Sequence, residues 1–113
     1  MSRWRLEVPT RIFDFTDAEI LGLRVTPERS ELFYPDTLQL QAFGWFEDGY
    51  ERPVRRDVTW TSLDADLVSV ATAGSEIGKV TPQGAEGLAT VRATARNTEG
   101  ELKADADIRV YRP

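Results

Sequence analysis

Neither cysteine nor histidine occurs in the 113 residues. That removes thiol nucleophiles, Ser-His-Asp chemistry, imidazole general bases and structural zinc of the usual ligand types. A chain without cysteine fits a reducing or an oxidising compartment equally. Positive charge is also scarce. Fourteen Lys and Arg against 19 Asp and Glu leave a net charge of −5. A general nucleic-acid binder needs a basic face to displace counterions, and anionic membranes repel such a chain, so neither nucleic acid nor membrane is expected as a partner. No run of 18 apolar residues is present to form a spanning helix. Met1-Ser2-Arg3-Trp4-Arg5 runs into Leu6-Glu7-Val8-Pro9 rather than an apolar h-region, so no secretion signal is expected. Helical spacing is missing too: no segment of ten or more residues repeats at a period near 3.6.

What is present is alternation. The length suits one domain, and a hydrophobic content of 41% with a mean hydropathy of −0.39 fits a soluble globular one. Asp57-Val58-Thr59-Trp60-Thr61-Ser62 places Val58 and Trp60 on one face and threonines on the other, the period of a half-buried strand. Leu38, Leu40 and Ala42 alternate with Gln39 and Gln41, and this strand is expected to run on through Phe43-Gly44-Trp45-Phe46. Residues 19–26 read as a first strand with Leu21, Leu23 and Val25 on one face. Pro27 stops it, and Glu31-Leu32-Phe33-Tyr34 leads into a Pro35-Asp36 turn. Asp48-Gly49 between apolar runs predicts a hairpin. Pro53 bars a central strand from residues 51–56. Leu67–Val70 and Ile77–Pro82 read as short strands.

Ala89, Val91, Ala93 and Ala95 form an inward face, as do Leu102, Ala104, Ala106, Ile108 and Val110, with the Asn97–Gly100 turn between them. Seven or eight short strands at this spacing predict an all-β sandwich of two antiparallel sheets. Its core is expected at Leu38, Leu40, Val58, Trp60, Val70, Val91 and Ile108, with the small alanines leaving room for the indole. Residues 1–18 stand apart as an N-terminal arm, or extra strand, before the domain at 19–113. In the arm, Trp4, Leu6 and Val8 alternate with Arg3, Arg5 and Glu7, and Ile12, Phe13 and Phe15 make a second apolar cluster.

Leu23-Arg-Val-Thr-Pro27, Leu38-Gln-Leu-Gln-Ala42, Asp48-Gly49, Asp57-Val-Thr-Trp-Thr-Ser62, Val68-Ser-Val70, Gly78-Lys-Val80 and Gly87-Leu-Ala-Thr-Val-Arg-Ala93 follow one another in order. In this order and spacing, residues about 20–111 resemble the bacterial Ig-like domains of group 2, the BIG2 family. Two places depart from the family pattern: Phe33-Tyr34-Pro35 stands where a glycine turn is usual, and the charged run from Glu47 to Arg56 is longer. The resemblance implies an Ig-like sandwich used as a spacer or binding module, in cell-surface adhesins, phage head and tail proteins or secreted enzymes. It does not choose among them.

The candidate sites are surfaces. The arm residues Trp4, Leu6, Val8, Ile12, Phe13 and Phe15 either pack on their own domain or dock on a neighbouring subunit. Trp45, Phe46 and Tyr50 form either an aromatic platform for sugar or protein, or a cluster partly buried under the Asp48-Gly49 turn, and the second reading is preferred. Arg52, Arg55 and Arg56 beside Tyr50 face either an acidic partner or solvent at a protected edge. Asp48, Asp64 and Asp66 lack the dense ligand spacing of a calcium site and read as turn formers. Asp105 and Asp107 read as solvated charge, and Ser62 and Ser75 have no histidine to activate them. No cofactor, metal or catalytic residue is expected.

The first expectation for function is a non-enzymatic structural protein of a phage virion, a head decoration or tail protein. It would be homo-oligomeric in the capsid or tail and bound to other protein subunits through its arm. The alternatives are an Ig-like spacer or adhesion module of a bacterial cell-surface or secreted protein, and a carbohydrate-binding module meeting a surface glycan.

Overall fold

A computed structural model describes residues 18–113. Ten strands follow in order: β1 Ile20–Thr26, β2 Arg29–Phe33, β3 Leu38–Gln39, β4 Gln41–Phe46, β5 Glu51–Val54, β6 Thr59–Ser62, β7 Val68–Val70, β8 Lys79–Pro82, β9 Gly87–Asn97 and β10 Gly100–Tyr111. One layer has the strand order β2-β10-β9-β6. The other is made of β1-β4-β5 and β3-β8-β7, joined through the continuous chain 38–46. This is an all-β, Ig-like sandwich. Six of its seven pairings are antiparallel, and β2 runs parallel to β10.

The period-two pattern places the core. Ala89, Val91, Ala93 and Ala95 of β9 are buried, as are Ala106, Ile108 and Val110 of β10. Trp60 is 3% exposed and stands opposite Ala93, so the small residue on one strand makes room for the large one on the next. Leu40, Val58, Val91 and Ile108 are buried as expected, whereas Leu38 and Val70 are only half-buried and pack against the core from its border. Gly44 faces the same interior. A Cβ there would lie 2.7 Å from Ile20 Cδ1 and 2.9 Å from Phe46 Cε1.

The strand count exceeds the expected seven or eight because one run is divided and two segments not read as strands, 29–33 and 51–54, pair at sheet borders. The run 37–46 breaks at Leu40, whose N–H donates to the Gly78 carbonyl at 3.0 Å. The segment 29–33, expected only to lead into a turn, forms a strand because residues 107–111 offer it a partner. Leu21 was expected to face inward with Leu23 and Val25. It is 51% exposed, because β1 holds an extra residue between Ile20 and Gly22 where β4 has none. This bulge turns Ile20 inward and Leu21 out. The Asp48-Gly49 hairpin forms as expected, with Gly49 at φ 91°. Pro53 lies in an edge strand, where its missing N–H is tolerated.

Candidate interaction surfaces

The arm residues Trp4, Leu6, Val8, Ile12, Phe13 and Phe15 lie outside the described residues. The second expected patch, residues 45–56, does not form one surface. Alternation on β4 sends Ala42, Gly44 and Phe46 inward and Phe43 and Trp45 outward. Phe46 is half-buried against the core and lies beneath the Arg52 guanidinium, 4.3 Å from the ring centroid. Arg52 also pairs with Asp48. Arg55 donates to the Ser75 carbonyl at 3.1 Å, and Arg56 is exposed in the crossover to β6. Trp45 is 51% exposed and Tyr50, beyond the turn, 65%. Of the three aromatic residues, Phe46 is half-buried, whereas Trp45 and Tyr50 are exposed rather than covered by the turn. The reason lies across the ladders: Trp45 stands between Gly22 on β1, which has no side chain to cover it, and Glu51 on β5, whose carboxylate is held by Arg24.

The outer face of β1-β4-β5 is thus an aromatic strip crossed by one ion pair. Arg24 Nε and Nη2 each donate to a Glu51 carboxylate oxygen at 3.0 Å, reaching from β1 to β5 over β4. The guanidinium sits 4.8 Å from the Phe43 centroid. Hydrogen bonding from Arg24 holds the Glu51 carboxyl below its ordinary pKa and raises that of Arg24. Phe43 is covered by this pair, and Trp45 is left open.

The other outer face is charged and internally paired. Arg92 grips Asp105 through two bonds of 2.7 and 3.0 Å, and this holds the Asp105 pKa down. Thr90 Oγ1 donates to Asp107 at 3.1 Å. Both aspartates, expected to be simply solvated, are members of cross-strand pairs. Asp64 accepts the Thr90 N–H at 2.8 Å, its carbonyl accepts from Leu67 and Val68, and Asp48 Oδ1 accepts from Tyr50. These are turn-forming roles. Asp66 is exposed. Ser62 Oγ donates to the Val68 carbonyl at 2.8 Å. Among the described residues, no three acidic side chains converge in metal-ligand geometry.

A second aromatic cluster was missed from the sequence. Phe33, 49% exposed, stacks on Tyr111 at 5.0 Å, and Tyr111 Oη donates to Glu31 at 3.3 Å. Tyr34 lies under the Arg112 guanidinium at 5.3 Å. The run Leu32-Phe33-Tyr34 was the available signal. Its partner, 78 residues away, could be found only through the parallel pairing of β2 with β10.

No family model and no curated protein sequence matches the chain. Among solved structures, it is similar to a chain in the crystal structure of the titin M10–obscurin-like 1 Ig complex, at 20% identity and a TM-score of 0.46, covering 85% of this chain and 97% of that one. The Ig-like assignment rests on the strand order and layering given above.

Proposed function

We propose that the chain is a non-enzymatic Ig-like interaction module of the BIG2 type, a structural subunit of a phage head or tail that fastens to neighbouring protein subunits through its arm. The observation that carries this reading is the density of apolar and aromatic residues in the arm, Trp4 through Phe15, set before a sandwich that holds its own core. The carboxylates Asp64, Asp105 and Asp107 are tied into turns and cross-strand pairs, which leaves the domain offering surfaces rather than reactive groups. Deleting residues 1–17 is expected to abolish co-sedimentation with purified particles while the far-UV circular dichroism keeps its β signature. Undiminished binding by the truncated chain would sink the proposal. Capsid, portal or tail genes beside this one would support it over the adhesin or secreted-spacer alternative.

A glycan-binding reading draws on one specific observation, the ring of Trp45, 51% exposed between Gly22 on one side and Glu51 on the other. Stacking on a sugar face needs an exposed ring of this kind. A glycan array that shows no binding, or binding that survives Trp45→Ala, would remove it.

A further inference from the structure

Among the described residues, the four-stranded layer ends on β6, which is paired on one side only, by β9. The Leu63 N–H donates to the Thr90 carbonyl at 2.9 Å. That bond fixes the alternation along the ladder. Thr61 and Thr59 turn their backbone groups to Arg92 and Thr94, while Trp60 and Ser62 turn theirs away from the sheet. The edge therefore presents two N–H and two C=O groups with no strand beside them among the described residues. The border strand of the opposite layer, β5, is different. The Phe46 N–H to Tyr50 carbonyl bond places Glu51 and Pro53 on its free side, and Pro53 has no N–H to offer. Of the two edges bordering this side of the sandwich, β6 is the one open to pairing.

Between these edges lies a notch of about 270 Å³, with Leu40, Ala42, Pro53, Val54, Trp60 and Ile77 as its apolar walls and Gln39, Gln41 and the Arg55–Ser75 hydrogen bond as its polar ones. A wider groove shares Pro53 and Val54, passes Thr59 and Thr61, and reaches Ala18 and Glu19. Ala18 is where the arm joins the domain. The arm's run Arg3–Val8 alternates at the period a strand requires, and Pro9 ends it.

We propose that the free edge of β6 is the docking site of the chain's own arm. Residues 3–8 add beside β6 as a fifth strand. Trp4, Leu6 and Val8 turn between the layers into the notch, and Arg3, Arg5 and Glu7 face out beside Thr59 and Thr61. The linker is long enough: nine residues, 9–17, extend to about 30 Å. The tether also decides whose arm binds. A linker of this length gives an effective concentration on the order of millimolar, well above the micromolar concentration of a second copy in dilute solution. This inference goes beyond the assembly reading and stands without it. If both hold, the arm leaves β6 when the subunit docks.

The test is amide hydrogen exchange by NMR on the full chain and on full-length Leu6→Asp, which puts a charge against the notch, with sedimentation of both over a tenfold range of concentration. The Trp60 and Ser62 amides are expected to exchange at least about 100-fold faster in Leu6→Asp, with the native chain monomeric throughout. Ala93, paired on both sides in mid-layer, should stay slow in both and so report an intact sandwich. Should Leu6→Asp fail to fold, Leu6→Ser replaces it with the same expectation. Equal rates at Trp60 and Ser62 in the two proteins would overturn the proposal. So would protection that appears only as a dimer forms, which would give the edge to the arm of a second copy. Neither result bears on particle binding, which the deletion of residues 1–17 tests separately.

Discussion

Replacing Trp60 by alanine tests the placement of the core. The indole is 3% exposed and pairs with Ala93 across the ladder, and Ala89, Val91 and Ala95 continue that buried row. A buried aromatic removes about 150–250 Å² from water, which at about 25 cal/mol/Å² corresponds to about 4–6 kcal/mol. Measured losses for buried aromatic-to-alanine changes fall at about 3–5 kcal/mol, the spread reflecting how far a site can collapse. This site collapses poorly, because its neighbours on β9 are too short to swing into the gap. A loss near the top of that range is expected, against a total stability on the order of 5–15 kcal/mol. Urea unfolding followed by far-UV circular dichroism is the assay, since removing an indole compromises fluorescence. The midpoint should fall with the slope unchanged. If the alanine variant is unfolded in water, Trp60→Phe gives a readable loss of about 1–2 kcal/mol from the smaller area removed. A loss below about 1 kcal/mol for Trp60→Ala would mean the ring is not in the core, and the reasoning would fail.

Gly78 and Gly49 both have positive φ, at 84° and 91°, but a Cβ on Gly78 would lie 2.7 Å from the Leu40 carbonyl, while one on Gly49 meets nothing within 4 Å. Gly49→Ala should cost about 1 kcal/mol and Gly78→Ala at least about 1 kcal/mol more in the same urea assay; equal costs would deny the close approach. Thr98 donates its N–H and hydroxyl to the Glu19 carboxylate at 2.6–2.9 Å, and these bonds hold the Glu19 pKa below its ordinary value. A depressed folded pKa gives stability that is complete above the ordinary carboxylate range and lost as pH falls through the folded value. Glu19→Gln should therefore lower Tm at pH 7 and flatten its fall below about pH 4; parallel acid limbs for the two proteins would refute this. Trp45→Ala, at an open ring, should change stability by less than about 0.5 kcal/mol, and a loss above about 2 kcal/mol would show the ring to be covered.

Much of the sandwich can be read from the chain because inward and outward residues alternate wherever a strand has one dry face. β9 and β10 show this at Ala89 to Ala95 and Ala106 to Val110. What cannot be read depends on partners distant in sequence. The break at Leu40 exists because Gly78 supplies a carbonyl there, and β2 exists because residues 107–111 lie alongside it. The bulge at Leu21 is one residue of mismatch between β1 and β4, and a shift of one residue reverses every side chain beyond it. The same limit split the expected patch at 45–56. Adjacent residues on a strand point to opposite faces, so Trp45 and Phe46 could not share a surface once β4 formed. Whether Trp45 was covered depended on the residues across from it, Gly22 on one side and Glu51 on the other.

The two outer faces differ in what docking would cost them. On β9-β10 the charges are paired within the sheet, Arg92 with Asp105 and Arg96 with Glu101 at 3.4 Å. A partner covering that face must desolvate pairs that gain nothing new from it, a penalty that offsets contact. On β1-β4-β5 one such pair, Arg24 with Glu51, lies over Phe43, while Trp45 beside it carries no charge and no cover. Removing water from Trp45 gains apolar area at little cost in broken ion pairs. The region around Trp45 is therefore suited to contact and the region of Arg92 and Arg96 to solvent, while the four-stranded sheet also carries the exposed Leu88 and, at its β2 border, Phe33 stacked on Tyr111. That division yields a further expectation: an interface engaging Trp45 should be nearly insensitive to salt, because the ion pair beside it is already satisfied within the chain. A partner affinity that falls tenfold between 50 and 500 mM salt would refute this, because it requires charges that are not already paired within the chain.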